Sequence, residues 1–136
     1  MVNIQNGIIT MNRGDTFYMP LLINIGVEEN KNKSKQDPRN YIDRYYKITN
    51  KDTIYFALEE YNQPFEFALI RKVFTIDDVN EDGDVIIKFS SEDTQYLLPG
   101  EYYYEIKLRH VENVNPYNEQ EFIDTIVPRR KFIILE

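Results

Sequence analysis

Alternating apolar and polar positions dominate this chain and predict strands along most of its length. The clearest run starts at Gly100: Tyr102, Tyr104, Ile106 and Leu108 share one face, and Glu101, Tyr103, Glu105 and Lys107 share the other, because strand side chains alternate with a period of two. A polar turn, Glu92-Asp93-Thr94-Gln95, leads into it through Leu98-Pro99-Gly100. The step from Gly100 to Tyr102 has the form of a tyrosine corner, in which a phenol near the start of a strand reaches back to a backbone group upstream. The plainer alternative is a hairpin entry into a Tyr-rich strand.

The rest of the chain reads as shorter strands. Ile8, Ile9 and Met11 make a first one, closed by the turn Asn12-Arg13-Gly14-Asp15. A long strand from Thr16 to Ile25 follows, with Phe17, Leu21 and Ile23 on one face and Tyr18 and Leu22 on the other. Pro20 within it calls for an edge position or a bulge, since proline cannot donate to a ladder. Residues 26–40 carry almost no apolar side chain, and residues 28–40 in particular predict a mobile polar loop. Tyr41 to Ile48 and Thr53 to Glu60 form an expected hairpin across Thr49-Asn50-Lys51-Asp52, with Tyr46, Ile48, Ile54, Phe56 and Leu58 inward. Phe65 to Phe74 is ambiguous between a bulged strand and a helix. An acidic turn from Asp77 to Asp84 precedes a strand from Val85 to Phe89, and Ser91 has the position of an N-cap. After the central strand come a polar loop, Val111 to Gln120, and closing strands Glu121 to Val127 and Lys131 to Leu135, divided at Pro128. Seven to nine short strands with regularly spaced turns predict an antiparallel β-sandwich in a single domain spanning residues 1–136. Its core is expected to include Phe17, Phe56, Ile87, Phe89, Tyr104 and Ile106.

Composition sharpens this reading. Eleven Tyr and eight Phe, with no Trp, favour strands. A net charge of -7 argues against nucleic acid and anionic membrane as partners. With no cysteine, neither disulfides nor thiolate metal sites are possible. The N-terminus lacks the pattern of a signal peptide, and no apolar run approaches the roughly 20 residues of a membrane span. A soluble protein made in the cytoplasm is expected.

Catalytic chemistry is sparse. The single histidine, His110, ends the central strand, and no Gly-x-Ser-x-Gly elbow or glycine-rich phosphate loop accompanies it. Its plain reading is a surface histidine. Asp78-x-Asn80-x-Asp82-Gly83 matches the opening half of a calcium loop, but Phe89 stands where the closing Glu belongs, so a solvated turn is the plainer reading. Arg13-Gly14-Asp15 spells an integrin-type tripeptide, and its plainer role is a tight turn with Gly14 at positive φ. Arg129-Arg130-Lys131 fits a guard for an edge strand. The tyrosines are the stronger lead. Tyr45, Tyr55 and Tyr103 fall opposite the core positions, and tyrosine suits interfaces because a rigid ring carries a polar tip. The alternative is rings lying flat on an outer face. No cofactor and no enzymatic activity are expected.

Several stretches together resemble the immunoglobulin-like domains of bacteriophage virion proteins, especially the N-terminal domain of baseplate upper proteins and related small tail or neck proteins. They are Arg13-Gly14-Asp15-Thr16-Phe17, Asp52-Thr53-Ile54-Tyr55-Phe56, Leu69-Ile70-Arg71-Lys72, the run from Glu92 through Leu97-Leu98-Pro99-Gly100 to Ile106, and Asp124-Thr125-Ile126-Val127-Pro128 before Phe132-Ile133-Ile134. The resemblance implies a Greek-key immunoglobulin-like sandwich and a non-enzymatic building block of a phage or prophage particle, in the baseplate, tail, neck or head. It implies virion localisation and contacts with other virion proteins and with copies of itself. A carbohydrate- or receptor-binding module is the alternative use of such a sandwich.

Overall fold

A computed structural model describes residues 2–29, 41–62 and 64–136. It is an all-β structure whose strands pair antiparallel with one exception. Ten strands occur in chain order: β1 (Asn3–Gln5), β2 (Ile8–Asn12), β3 (Phe17–Leu21), β4 (Ile23–Glu29), β5 (Tyr41–Tyr46), β6 (Asp52–Glu59), β7 (Ile70–Phe74), β8 (Val85–Phe89), β9 (Gly100–Asn115) and β10 (Asn118–Leu135). Six of them form one sheet in the order β1-β2-β10-β9-β6-β7. Two ribbons, β3-β8 and β4-β5, complete the set. The exception is β2 against β10, which runs parallel from Ile9 beside Phe132 to Asn12 beside Leu135.

The core lies between the six-stranded sheet and the β3-β8 ribbon. Phe56 of β6, Tyr104 of β9 and Phe132 of β10 project from the sheet, and Phe17 and Phe89 meet them from the ribbon. Phe17 stacks on Phe89 at 4.8 Å, and Phe56 meets Phe89 edge-on at 5.3 Å. Offset and edge-to-face rings of this kind add about 0.5–1.5 kcal/mol each beyond the area they bury. All six core positions expected above are buried, as are Leu21, Ile23, Ile54 and Tyr102. Alternation on β3, β8, β9 and the first half of β6 makes that face legible from sequence.

The corner is formed. Ser90 opens a helical turn, Ser91–Thr94, with its backbone N–H donating to the Asp93 carboxylate at 2.7 Å. The cap is therefore Ser90 and not Ser91. Five residues separate that turn from β9, and the Tyr102 hydroxyl donates to the Leu98 carbonyl at 2.5 Å. Thr94 is fully buried, and its hydroxyl accepts from Gly14 N–H at 2.9 Å. This bond ties the corner to the turn between β2 and β3, where Gly14 has a φ of 83°.

Five expectations need correction. The strand expected from Thr16 to Ile25 is broken at Leu22 into β3, paired with β8, and β4, paired with β5. The strand from Tyr41 pairs with β4 and not with β6, so there is no hairpin across Thr49–Asp52. Instead the Asp52 carboxylate accepts from Thr49 N–H at 2.8 Å and closes a tight turn, and the chain crosses there with Ile48 buried in the core. The segment from Phe65 is a 3-10 turn, Phe65–Phe67, followed by β7, so Ile70 and Phe74 point inward while Phe67 and Leu69 are exposed. Residues 26–29, assigned to the polar loop, continue β4, while residues 30–40 of that loop lie outside the described residues. Finally, the polar loop at 111–120 is strand: β9 and β10 run on as a hairpin turning at Pro116 and Tyr117.

Two other readings hold. β3 has a strand neighbour on one side only among the described residues, which accommodates Pro20. β10 carries two register shifts at this point, one before Pro128, between Thr125 and Val127, and one spanning it, between Val127 and Arg130. The short strand β1 had no counterpart in the sequence reading, although Asn6-Gly7 marks its hairpin: both residues take positive φ, 52° and 78°.

Candidate functional site

β6 begins at Asp52, directly opposite His110 on β9. Beyond that pair the Val111 N–H still reaches back, to the Lys51 carbonyl at 3.1 Å; the β9-β10 hairpin tip projects about 16 Å past the pair at roughly 3.3 Å per residue. At its turn Tyr117 is 97% exposed, and Phe122 and Ile123 on its returning strand are also exposed. Residues 118–125 form an unbroken exposed stretch.

The root of this arm is a polar cluster. The Asp52 side chain is fully buried and accepts from His110 Nδ1 at 2.5 Å, the Tyr46 hydroxyl at 2.5 Å, and Thr49 N–H at 2.8 Å. Burial alone would raise the Asp52 pKa, but these donors outweigh it and hold the carboxyl below its ordinary value. His110 Nε2 faces the Glu112 carboxylate at 3.1 Å. With a carboxylate at each ring nitrogen both nitrogens donate, and the hydrogen bonds to Asp52 and then Glu112 raise the imidazole pKa. Burial, with the Asp52 carboxylate beside it, pushes Tyr46 up to about 12. His110 is thus the keystone between β6 and the arm rather than an isolated surface group. Thr49-x-x-Asp52 has the spacing of a side-chain-closed turn, a signal available in the sequence.

The outer face of the six-stranded sheet holds a cleft of about 700 Å³. Ala57 and Glu59 of β6 form its buried floor, and Lys107 and Arg109 of β9 with Glu121 and Ile123 of β10 form one side. Tyr55 and Phe65, edge to face at 5.3 Å, form the other. The charges are paired: Arg109 of β9 meets Glu121 of β10 at 3.0 Å, and Lys107 meets Glu105, two residues away on the same strand, at 3.3 Å.

Of the three tyrosines singled out from sequence, Tyr55 and Tyr103 share this outer face. Tyr103 lies opposite Glu59 on β9, with the Arg129 guanidinium 4.2 Å from its ring centre. Tyr45 stands apart on the β4-β5 ribbon, 40% exposed. The oxygens of the acidic turn serve the turn itself. The Asp78 carboxylate accepts from Thr75 N–H at 2.8 Å, and Asn80 Oδ1 accepts from Asp82 N–H and Asp84 N–H, each at 3.0 Å. Asp84, not Asp82, is the buried acid, and it pairs with Lys47 at 2.6 Å. Among the described residues no three His, Cys, Asp or Glu side chains converge as a metal site, and no helix is long and apolar enough to cross a membrane.

Comparison with protein-family models, with curated protein sequences and with solved structures finds no match.

Proposed function

We propose that this chain is a non-enzymatic assembly module of a phage or prophage particle, built as an immunoglobulin-like Greek-key sandwich and acting through protein–protein contacts. The β3-β8 ribbon facing β10-β9-β6-β7, with β2 parallel to β10 and a tyrosine corner before β9, supports that architecture. The observation that carries the functional reading is the β9-β10 arm. It exposes apolar side chains and a long strand edge, features that monomeric proteins ordinarily blunt. The partners are other virion proteins and copies of the chain itself. The test is to induce the host strain with a tagged copy and purify particles by density. Co-migration of the tag with particles at constant stoichiometry supports the proposal; its absence from intact particles overturns it.

A second reading, a carbohydrate- or receptor-binding module, draws on the outer cleft, where Tyr55 and Phe65 stand beside paired charges. Glycan binding that is lost in Tyr55→Ala, with no incorporation into particles, would favour it.

A further inference from the structure

Along the open side of β10, β2 reaches only as far as Phe132. From Asn118 to Lys131 that edge has no strand neighbour among the described residues. From Asn118 to Val127 it carries no Lys, Arg or Pro, and its charges are the acids Glu119, Glu121 and Asp124 alone, which leave the edge open to a basic partner strand. Its charge is polarised along the strand. Glu119 and Glu121 stand near the arm tip, and Arg129 and Lys131 stand near the body.

The register along β9 measures the spacing. Glu119 lies opposite Asn113 and Glu121 opposite Val111, while Lys131 lies opposite Tyr103. Arg129 falls between the partners of Ile106 and Tyr104, in the bulge beside Pro128. Measured this way, the two acids and the two bases are equally spaced about Asp124, which lies opposite Leu108. Glu119, Glu121 and Lys131 belong to the sheet's outer face, because their β9 partners alternate with the inward Tyr104, Ile106 and Leu108, and Arg129 joins them there, over the Tyr103 ring.

We propose that the bare edge of β10 pairs with the same edge of a second copy, antiparallel about a two-fold axis at Asp124, joining two sheets into one. This deepens the assembly reading and rests on it. A two-fold interface must be self-complementary, and here Glu119 and Glu121 of one copy meet Lys131 and Arg129 of the other. The partner's edge also fits the available length. One end is bounded by the arm turn, and the other by the β1-β2 hairpin, where Arg130 donates to the Asn6 carbonyl at 3.2 Å. Glu121, Lys131 and Arg129 already contact Arg109, Glu101 and Tyr103 within the chain. Those are surface contacts of small worth, and they exchange at little cost. Pro128 and the bulge interrupt the backbone ladder at the basic end, so charge fixes the register there. The two Asp124 carboxylates form the one repulsive contact at the axis.

The experiment is light-scattering chromatography over a concentration series at low and high salt. The wild-type chain is expected to dimerise, less so at high salt. Glu119→Lys with Glu121→Lys, and separately Arg129→Glu with Lys131→Glu, are each expected to weaken self-association about tenfold or more. Mixing the two variants restores a heterodimer, which a folding defect would not do. Because the chain has no cysteine, Asp124→Cys supplies a single probe. Facing residues of an antiparallel pair lie about 4.5–5.5 Å apart at Cα, within disulfide range, so mild oxidation should cross-link it, while Lys88→Cys on the exposed face of β8 should stay monomeric. A wild-type monomer at the highest soluble concentration, or a dimer indifferent to both charge reversals, overturns the edge pairing. A monomer that still enters particles overturns the pairing alone and leaves the assembly reading standing.

Discussion

The carboxylate of Asp52 and the imidazole of His110, 58 residues apart in the chain, meet at 2.5 Å where the body of the sheet gives way to the projecting arm. Each completes the other: Asp52 is buried and needs donors, and His110 presents an N–H to it while Glu112 takes the second. The pair marks where β6 starts and the two-stranded extension leaves the sheet.

This arrangement sets a pH dependence. The His110 pKa is raised in the folded state, so its contribution to stability is full below the unfolded value of about 6.5 and is lost as pH rises through the folded value. The Asp52 pKa is depressed, so its contribution is present above the unfolded value of about 3.9 and fades as pH falls through the folded value. Denaturant melts of the wild type and of His110→Gln should differ most near pH 6 and converge in alkaline solution. A constant difference across that range would contradict the charged pair.

Removing the acceptor is expected to be worse than removing the donor. Asp52→Ala strands the Tyr46 hydroxyl and Thr49 N–H as well as His110, and breaking a buried pair costs about 3–5 kcal/mol. The same melts, with Tyr46→Phe as a milder comparison, should rank Asp52→Ala as the most destabilising.

Phe56 is fully buried against Phe89 and Tyr104. Phe56→Ala should cost about 3–5 kcal/mol by leaving a cavity. A loss under about 1 kcal/mol in urea titrations would contradict the packing described for this face.

At the corner, Tyr102→Phe keeps the ring and deletes only the hydroxyl that reaches Leu98. The expected cost is about 1 kcal/mol, carried by local opening of the 95–100 segment and visible as faster amide exchange there.

The inward face of the fold was legible because β3, β8, β9 and the first half of β6 alternate, so Phe17, Phe56, Ile87 and Tyr104 declare themselves. Strand pairing was not legible. Tyr41–Tyr46 and Asp52–Glu59 look like a hairpin because both alternate around a polar turn, yet the side-chain closure of that turn by Asp52 accompanies a crossing between pairings, and periodicity carries no information on crossings. The arm was missed because Glu112, Glu119 and Gln120 look like loop residues. A hairpin exposed on both faces needs no apolar alternation, and only Asn115-Pro116 hinted at its turn. The outer cleft depends on which strands are neighbours, so Tyr55 and Tyr103 could be named from the sequence but not joined on one face.

The arm is the feature on which the functional account turns, and shortening it tests that account most directly. His110 and Phe122 are cross-strand partners, so joining them through Asn-Gly deletes the tip while retaining the Asp52–His110 pair and a well-formed two-residue turn. This variant is expected to be folded, melting within a few degrees of the wild type, yet absent from particles purified after induction. A shortened chain that enters particles at the wild-type stoichiometry would contradict it.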